Sequence, residues 1–127
     1  MTNRNDSKRS CLIVDDNDEL REMVRDILLS SGWRVAEAVN GDQALRQINE
    51  DGFSVVLLDI LMPQKDGLEV LLELEKKPDA ARPRIVAMSG GGSKVTGSLA
   101  LQLAEGLGAR KILHKPFSLD ELREAME

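Results

Sequence analysis

Short apolar runs that each end directly on a polar group constrain this chain more than any other feature. Residues 11–14 lead into Asp15 and Asp16, residues 55–58 into Asp59, residues 85–88 into Ser89, and residues 111–114 into Lys115. In a chain that alternates such runs with helix-patterned segments, the runs are the strands of a parallel sheet buried on both faces. The residue after each strand then lies at the carboxyl edge of the sheet, where open α/β folds build their sites. Three carboxylates, a hydroxyl and an amine would therefore converge from four separate stretches.

The intervening segments support that frame. A first strand over residues 10–14 is followed by a helix from near Asn17, with Leu20, Met23, Val24, Ile27 and Leu28 at one-faced helical spacing and Gly32 as a left-handed terminator. Residues 33–38, of mixed polarity, read as an edge strand. Asn40 with Gln43 resembles a capping box for a helix reaching about Glu50, and a third strand spans 54–59. Pro63 marks residues 61–65 as a loop. Asp66 with Glu69 forms a second capping box for a helix carrying Leu68, Val70, Leu71, Leu72 and Leu74 to about Lys76. A connection bounded by Pro78 and Pro83 leads to a fourth strand over 84–88. Gly90, Gly91 and Gly92 form a flexible loop before a helix over about 94–105. A fifth strand covers 111–114, and Ser118 with Glu121 opens a last helix using Leu119, Leu122 and Met126. The expected fold is a doubly wound five-stranded parallel α/β sheet, (βα)5, in the flavodoxin-like order 2-1-3-4-5. Residues 1–9 are expected to be a flexible lead-in and 10–127 one domain.

At 127 residues with 42% hydrophobic content, the chain has the size and composition of one globular domain with a real core. No apolar stretch reaches membrane-spanning length and the first ten residues lack a secretory segment, so cytoplasmic residence is the default expectation. The net charge of −5 argues against nucleic-acid binding. Cys11, the single cysteine, falls inside the first strand and reads as a small buried hydrophobe. Alternation turns His114 away from the site, toward a structural or solvent role.

The convergent set has a definite chemistry. Two like charges some 4 Å apart repel by roughly 4 kcal/mol at an effective dielectric of about 20. Asp15, Asp16 and Asp59 therefore retain a proton or bind a cation. Carboxylate oxygens without sulfur or clustered imidazole select a hard ion, and Mg²⁺ above others. Lys115 can pair with Asp59 or with phosphate oxygens, and Ser89 can donate a hydrogen bond to one of them. The set reads as a carboxylate nucleophile with a metal and a lysine supporting phosphoryl transfer. Taken alone, Asp15 and Asp16 could equally be helix caps, Ser89 a turn residue and Lys115 a solvated lysine.

Val14, Asp15 and Asp16; the stretch 58–63 with Asp66 and Gly67; the stretch 87–90; and Lys115, Pro116 and Phe117 together resemble the receiver domain of bacterial two-component response regulators. The resemblance runs from about residue 10 to the end of the sequence. It implies Asp59 as phosphoryl acceptor, with Mg²⁺ held by Asp16, Asp59 and the backbone carbonyl of Leu61, and by Asp15 through water. It further implies Ser89 as switch hydroxyl, Lys115 as phosphate partner and a cis Lys115–Pro116 bond. Ile112 stands where the family often has an aromatic residue, so a rotamer switch through that position is not available. The implied protein is a signalling switch and not an enzyme for small molecules. It takes phosphate from a histidine kinase or phosphotransfer protein and signals to an effector protein through the face made by the fourth helix, fifth strand and fifth helix. Val95, Leu99, Leu101 and Leu103 give that fourth helix more apolar surface than one core-facing stripe needs. Alternatives are the N-terminal receiver of a longer, for example transcriptional, regulator, or a binding module that works without phosphorylation.

Overall fold

A computed structural model describes residues 9–60, 67–78, 82–90 and 102–127. Five strands, β1 (Ser10–Val14), β2 (Arg34–Ala38), β3 (Val55–Asp59), β4 (Arg84–Ser89) and β5 (Lys111–His114), form one sheet. All neighbours are parallel and the order is β2-β1-β3-β4-β5, as the alternating sequence predicts. The helices are α1 (Asp18–Ser30), α2 (Gly41–Asp51), α3 (Gly67–Glu75), α4 (102–106) and α5 (Leu119–Met126).

Strand alternation divides the core in two. Leu12, Val14, Val56, Leu58, Ile85 and Ala87 point to one face, where they meet Ala44 and Ile48 of α2, Val70, Leu71 and Leu74 of α3, and Ala104 of α4. Ile13, Leu57, Val86, Met88 and Leu113 point to the other, against Val24 and Leu28 of α1 and Leu122, Ala125 and Met126 of α5. Burial on both faces is why the central strands are apolar through their middles: Ser10 and Arg84 only open β1 and β4, and Asp59 and Ser89 only close β3 and β4. Cys11 lies in the second layer, and burial pushes its thiol up to about 12, so it packs as a hydrophobe.

Helix boundaries follow local chemistry. Asn17 caps α1 by accepting the Leu20 N–H at 3.1 Å, and Asp18 and Glu19 place negative charge at the positive end of the helix. The far end closes in a Schellman arrangement: Trp33 N–H donates to Leu28 O, Gly32 N–H to Leu29 O, and Gly32 takes φ +90°. Gly108, with φ +107°, ends α4 in the same way, an ending the sequence reading did not anticipate. The capping box at α5 forms in full, Glu121 N–H to Ser118 Oγ and Ser118 N–H to Glu121 Oε1. At α2 only half of the expected box forms. Asn40 accepts from Gln43 N–H, but the Gln43 side chain reaches past the extended Asn40 backbone to the N–H of Val39.

Three apolar residues expected on buried faces are exposed: Met23 at 46%, with Leu72 and Leu119 similar. On α1 the buried stripe runs through Val24 and Leu28 and takes in Arg21 instead of Met23. The expected capping box at Asp66, the glycine loop beyond Gly90 and residues 94–101 of the fourth helix lie outside the described residues, as do residues 1–8. Arg9, placed by sequence in the lead-in, is held at the sheet: its guanidinium donates to Ser31 O at 2.8 Å, and its carbonyl accepts the Arg34 N–H at 2.7 Å. Among the described residues no helix is long and apolar enough to cross a membrane.

The two-layer core predicts a contrast. Leu57→Ala, in the fully buried centre, is expected to cost about 2–5 kcal/mol, and Met23→Ala no more than about 0.5 kcal/mol, read from urea unfolding midpoints. Equal losses at the two positions would contradict the layer assignment.

Candidate phosphoryl-acceptor site

Register brings the expected site residues together. Val14 is paired with Leu58, so Asp15 and Asp59 leave adjacent strands at the same level. Asp59 lies opposite Met88, and Ser89 lies opposite His114. The ladder continues past the strand ends, since Ile60 N–H donates to Met88 O and Lys115 N–H to Ser89 O. The carboxyl edge thus carries Asp15, Asp59, Ser89 and Lys115 in one row, with Asp16 one residue further out.

Within that row Lys115 is the link. Its Nζ donates to Asp15 Oδ2 at 2.6 Å and to Asp59 Oδ2 at 3.1 Å. Asp15 is fully buried and Asp59 nearly so, whereas Asp16 is exposed. Partial burial pulls the Lys115 ammonium down, but the hydrogen bond to Asp15 and the charges of Asp59 and Asp15 outweigh it and hold the group above the ordinary lysine value. Lys115 is therefore a cation throughout the physiological range. The remaining Asp15 oxygen, Oδ1, accepts the Asn17 N–H at 2.9 Å, which fixes the turn into α1.

Ser89 behaves differently. It is 2% exposed, yet its Oγ has no hydrogen-bond partner among the described residues. Leaving a buried hydroxyl without a partner costs on the order of 1–3 kcal/mol, so a group at this edge that can accept from Ser89 Oγ is favoured.

Two glycines make the close approach possible. A Cβ on Gly67 would stand 2.5 Å from the Asp59 carbonyl oxygen and 2.5 Å from Ile60 Cα, so α3 can start against the end of β3 only without a side chain. A Cβ on Gly90 would collide with Lys115 Cβ and come within 2.7 Å of Lys115 O. The motif glycines are thus spacers between backbone segments.

Asp15, Asp16 and Asp59 can each offer an oxygen such that all three lie within 4.8 Å of one another. Among the described residues the donor set is oxygen alone, with no thiolate or imidazole, and the Ser89 hydroxyl and the Lys115 ammonium sit on the same edge. These residues fit a hard divalent ion such as Mg²⁺. Leu61, whose carbonyl the resemblance implies as a ligand, lies outside the described residues. His114 is exposed, in keeping with a solvent role, and Ile112 is half-buried against the α2–α3–α4 layer. The Lys115–Pro116 bond is cis.

Comparison with known proteins decides the family. A family model described as the response regulator receiver domain matches residues 11–127. The chain belongs to the receiver domains of response regulators. Receivers are signalling switches, not enzymes that turn over small molecules, and they typically bind Mg²⁺ at an acidic pocket. This receiver is 39% identical to the chemotaxis protein CheY of Bacillus subtilis over 116 residues, covering 91% of the chain and 92% of that protein. It is also 36% identical to the CpxR homolog of Haemophilus influenzae, a transcriptional regulatory protein, over 87% of the chain but only 45% of the longer relative. Among solved structures, a response-regulator receiver domain from Bermanella marisrubri superposes with a TM-score of 0.80 at 28% identity, covering 94% of this chain and 99% of that one. CheY4 of Vibrio cholerae superposes at 0.79 with 26% identity, over 92% and 94%.

Sequence reasoning missed two features of the receiver site. Asp15, read as a water-mediated metal ligand, is the shorter of the two partners of Lys115. Arg21 was not singled out at all, although it is buried and its guanidinium donates to the Asp15 carbonyl at 2.7 Å. Its place three residues before Val24 and seven before Leu28 put it on the buried stripe of α1, which was the available signal.

The glycine spacers predict that Gly67→Ala destabilises the protein by about 1–3 kcal/mol through overpacking against the acceptor backbone. Gly106→Ala, where an added Cβ meets nothing within 4 Å, is expected to be neutral or stabilising by up to about 1 kcal/mol. Thermal unfolding of the two variants checks this, and an unaffected Gly67→Ala would contradict it.

Proposed function

We propose that this receiver accepts a phosphoryl group on Asp59 from a phosphohistidine of a kinase or phosphotransfer protein and thereby changes its affinity for an effector protein. The observation that carries the reading is the pairing, on one sheet edge, of a buried carboxylate already touching an ammonium with a buried hydroxyl that has no partner among the described residues. An oxygen of Asp59 attacks phosphorus in line, the P–N bond breaks, and its electron pair returns to the imidazole. Lys115 exchanges the Asp59 oxygen for a phosphoryl oxygen while keeping Asp15, and Ser89 Oγ donates to a second phosphoryl oxygen. Asp16, Asp59 and the Leu61 carbonyl would hold Mg²⁺ directly, and Asp15 through water. The ion, when bound, offsets the negative charge that an incoming phosphoryl group adds beside three carboxylates.

Movement of Ser89 and Lys115 reaches the surface through the β4–β5 ladder and through α4. Leu103 on α4 is 51% exposed and Leu119 at the start of α5 is also exposed, with Leu107 and Ile112 partly buried between them. This α4–β5–α5 face is the proposed contact for the effector. With Ile112 in place of an aromatic residue, the signal passes by backbone and helix displacement. An effector that prefers the phosphorylated form stabilises that form in return.

Intact mass after incubation with acetyl phosphate and Mg²⁺ tests the acceptor. The expected result is a gain of one phosphoryl group in the unsubstituted protein, and no gain for Asp59→Asn or in the presence of EDTA. A gain retained by Asp59→Asn would place the acceptor elsewhere.

A further inference from the structure

Arg21 lies outside the residues that meet the phosphoryl group, yet the structure invests a buried charge in it. The side chain is 11% exposed and spends all three arms of its guanidinium. Nη1 donates to the Asp15 carbonyl at 2.7 Å, Nη2 to Asp18 Oδ1 at 2.6 Å, and Nε to Glu37 Oε1 at 3.1 Å. The three partners differ in kind. Asp18 is largely exposed, so that pair is worth little. Glu37, on the edge strand β2, also accepts from Arg25 Nη1 at 3.2 Å and keeps a cationic partner if Arg21 is removed. The Asp15 carbonyl belongs to a fully buried residue just past the end of the β1 ladder.

The consequence follows from what that carbonyl carries. Asp15 N–H is tied to Ala38 O, its Oδ1 to the Asn17 N–H and its Oδ2 to Lys115, while its C=O is tied to Arg21. The peptide between Asp15 and Asp16 is thus oriented by the guanidinium, and that peptide aims the exposed Asp16 carboxylate toward Asp59. A cation bound by Asp16 and Asp59 requires their oxygens at a set separation, and supporting groups behind metal ligands typically control affinity 10- to 100-fold.

We propose that Arg21 is a positioning residue of the acidic pocket: by holding the Asp15 carbonyl it sets the β1–α1 turn and hence the cation affinity of the Asp16–Asp59 pair. The inference rests on the Mg²⁺ reading of the site given above. Its scope is this turn and not the pairing of α1 with β2, which Arg25 and Glu37 share.

The test compares Arg21→Gln, Arg21→Lys and Glu37→Gln with the unsubstituted protein by calorimetric titration with Mg²⁺ alone, with thermal unfolding measured in parallel without metal. Arg21→Gln is expected to weaken Mg²⁺ binding about tenfold or more. Arg21→Lys, which can still donate to one carbonyl, is expected to recover part of that loss. Glu37→Gln, which weakens the α1–β2 ion pair and leaves the Asp15 carbonyl clamped, is expected to stay within about twofold. Arg21→Lys is the deciding variant if Arg21→Gln does not fold, and affinity within twofold of the unsubstituted protein for whichever variant is read overturns the proposal. An equal loss in Glu37→Gln also overturns it, because the effect would then belong to the α1–β2 pairing. If the unsubstituted protein itself binds no Mg²⁺, the metal reading fails, and this inference falls with it.

Discussion

A single ammonium group between two carboxylates is the interaction on which the rest of this site depends. Parallel register forces Asp15 and Asp59 to the same level on neighbouring strands, and Asp16 follows directly. Left alone, such a group would repel by several kcal/mol, since one pair at about 4 Å is worth roughly 4 kcal/mol at an effective dielectric of about 20. Lys115, arriving from β5, two strands from β3 and three from β1, is placed against both buried acids. Its approach requires Gly90 beneath it, and the acceptor's position requires Gly67 behind it. Charge balance and steric clearance are thus solved by the same few residues.

The surrounding fold supplies rigidity where the chemistry needs it. Both faces of β1, β3 and β4 are sealed by apolar layers, so the strand ends cannot shift without disturbing packing on each side. Against that rigid edge, two groups among the described residues can change partners: the Ser89 hydroxyl, which has none there, and the Lys115 ammonium, which can trade one carboxylate oxygen for another acceptor.

The sheet and most of the site were legible in the sequence because both depend on short-range pattern. Continuous apolar runs ending on polar residues located β1, β3 and β4 and hence the row of Asp15, Asp59, Ser89 and Lys115. The capping box at Ser118 is likewise local, and it formed. What was not legible depends on three-dimensional competition. Met23 and Arg21 are both near the buried stripe of α1, and hydrophobicity alone favours Met23; the Asp15 carbonyl and Glu37 draw Arg21 inward instead. The short contact of Lys115 with Asp15 involves residues 100 positions apart, and only the register of β1, β3, β4 and β5 brings them together. Leu119, at the first position of α5, is exposed while the buried face of that helix runs through Leu122, Ala125 and Met126.

The most direct test is a structure of the protein with Mg²⁺ and beryllofluoride, whose fluorines stand in for phosphoryl oxygens on the acceptor. The account predicts that beryllium sits on Asp59, that Ser89 Oγ gains a hydrogen bond to one fluorine, and that Lys115 Nζ moves from Asp59 Oδ2 to another while keeping Asp15. Beryllofluoride bound at Asp59 with Ser89 still unpartnered and Lys115 unmoved would contradict it.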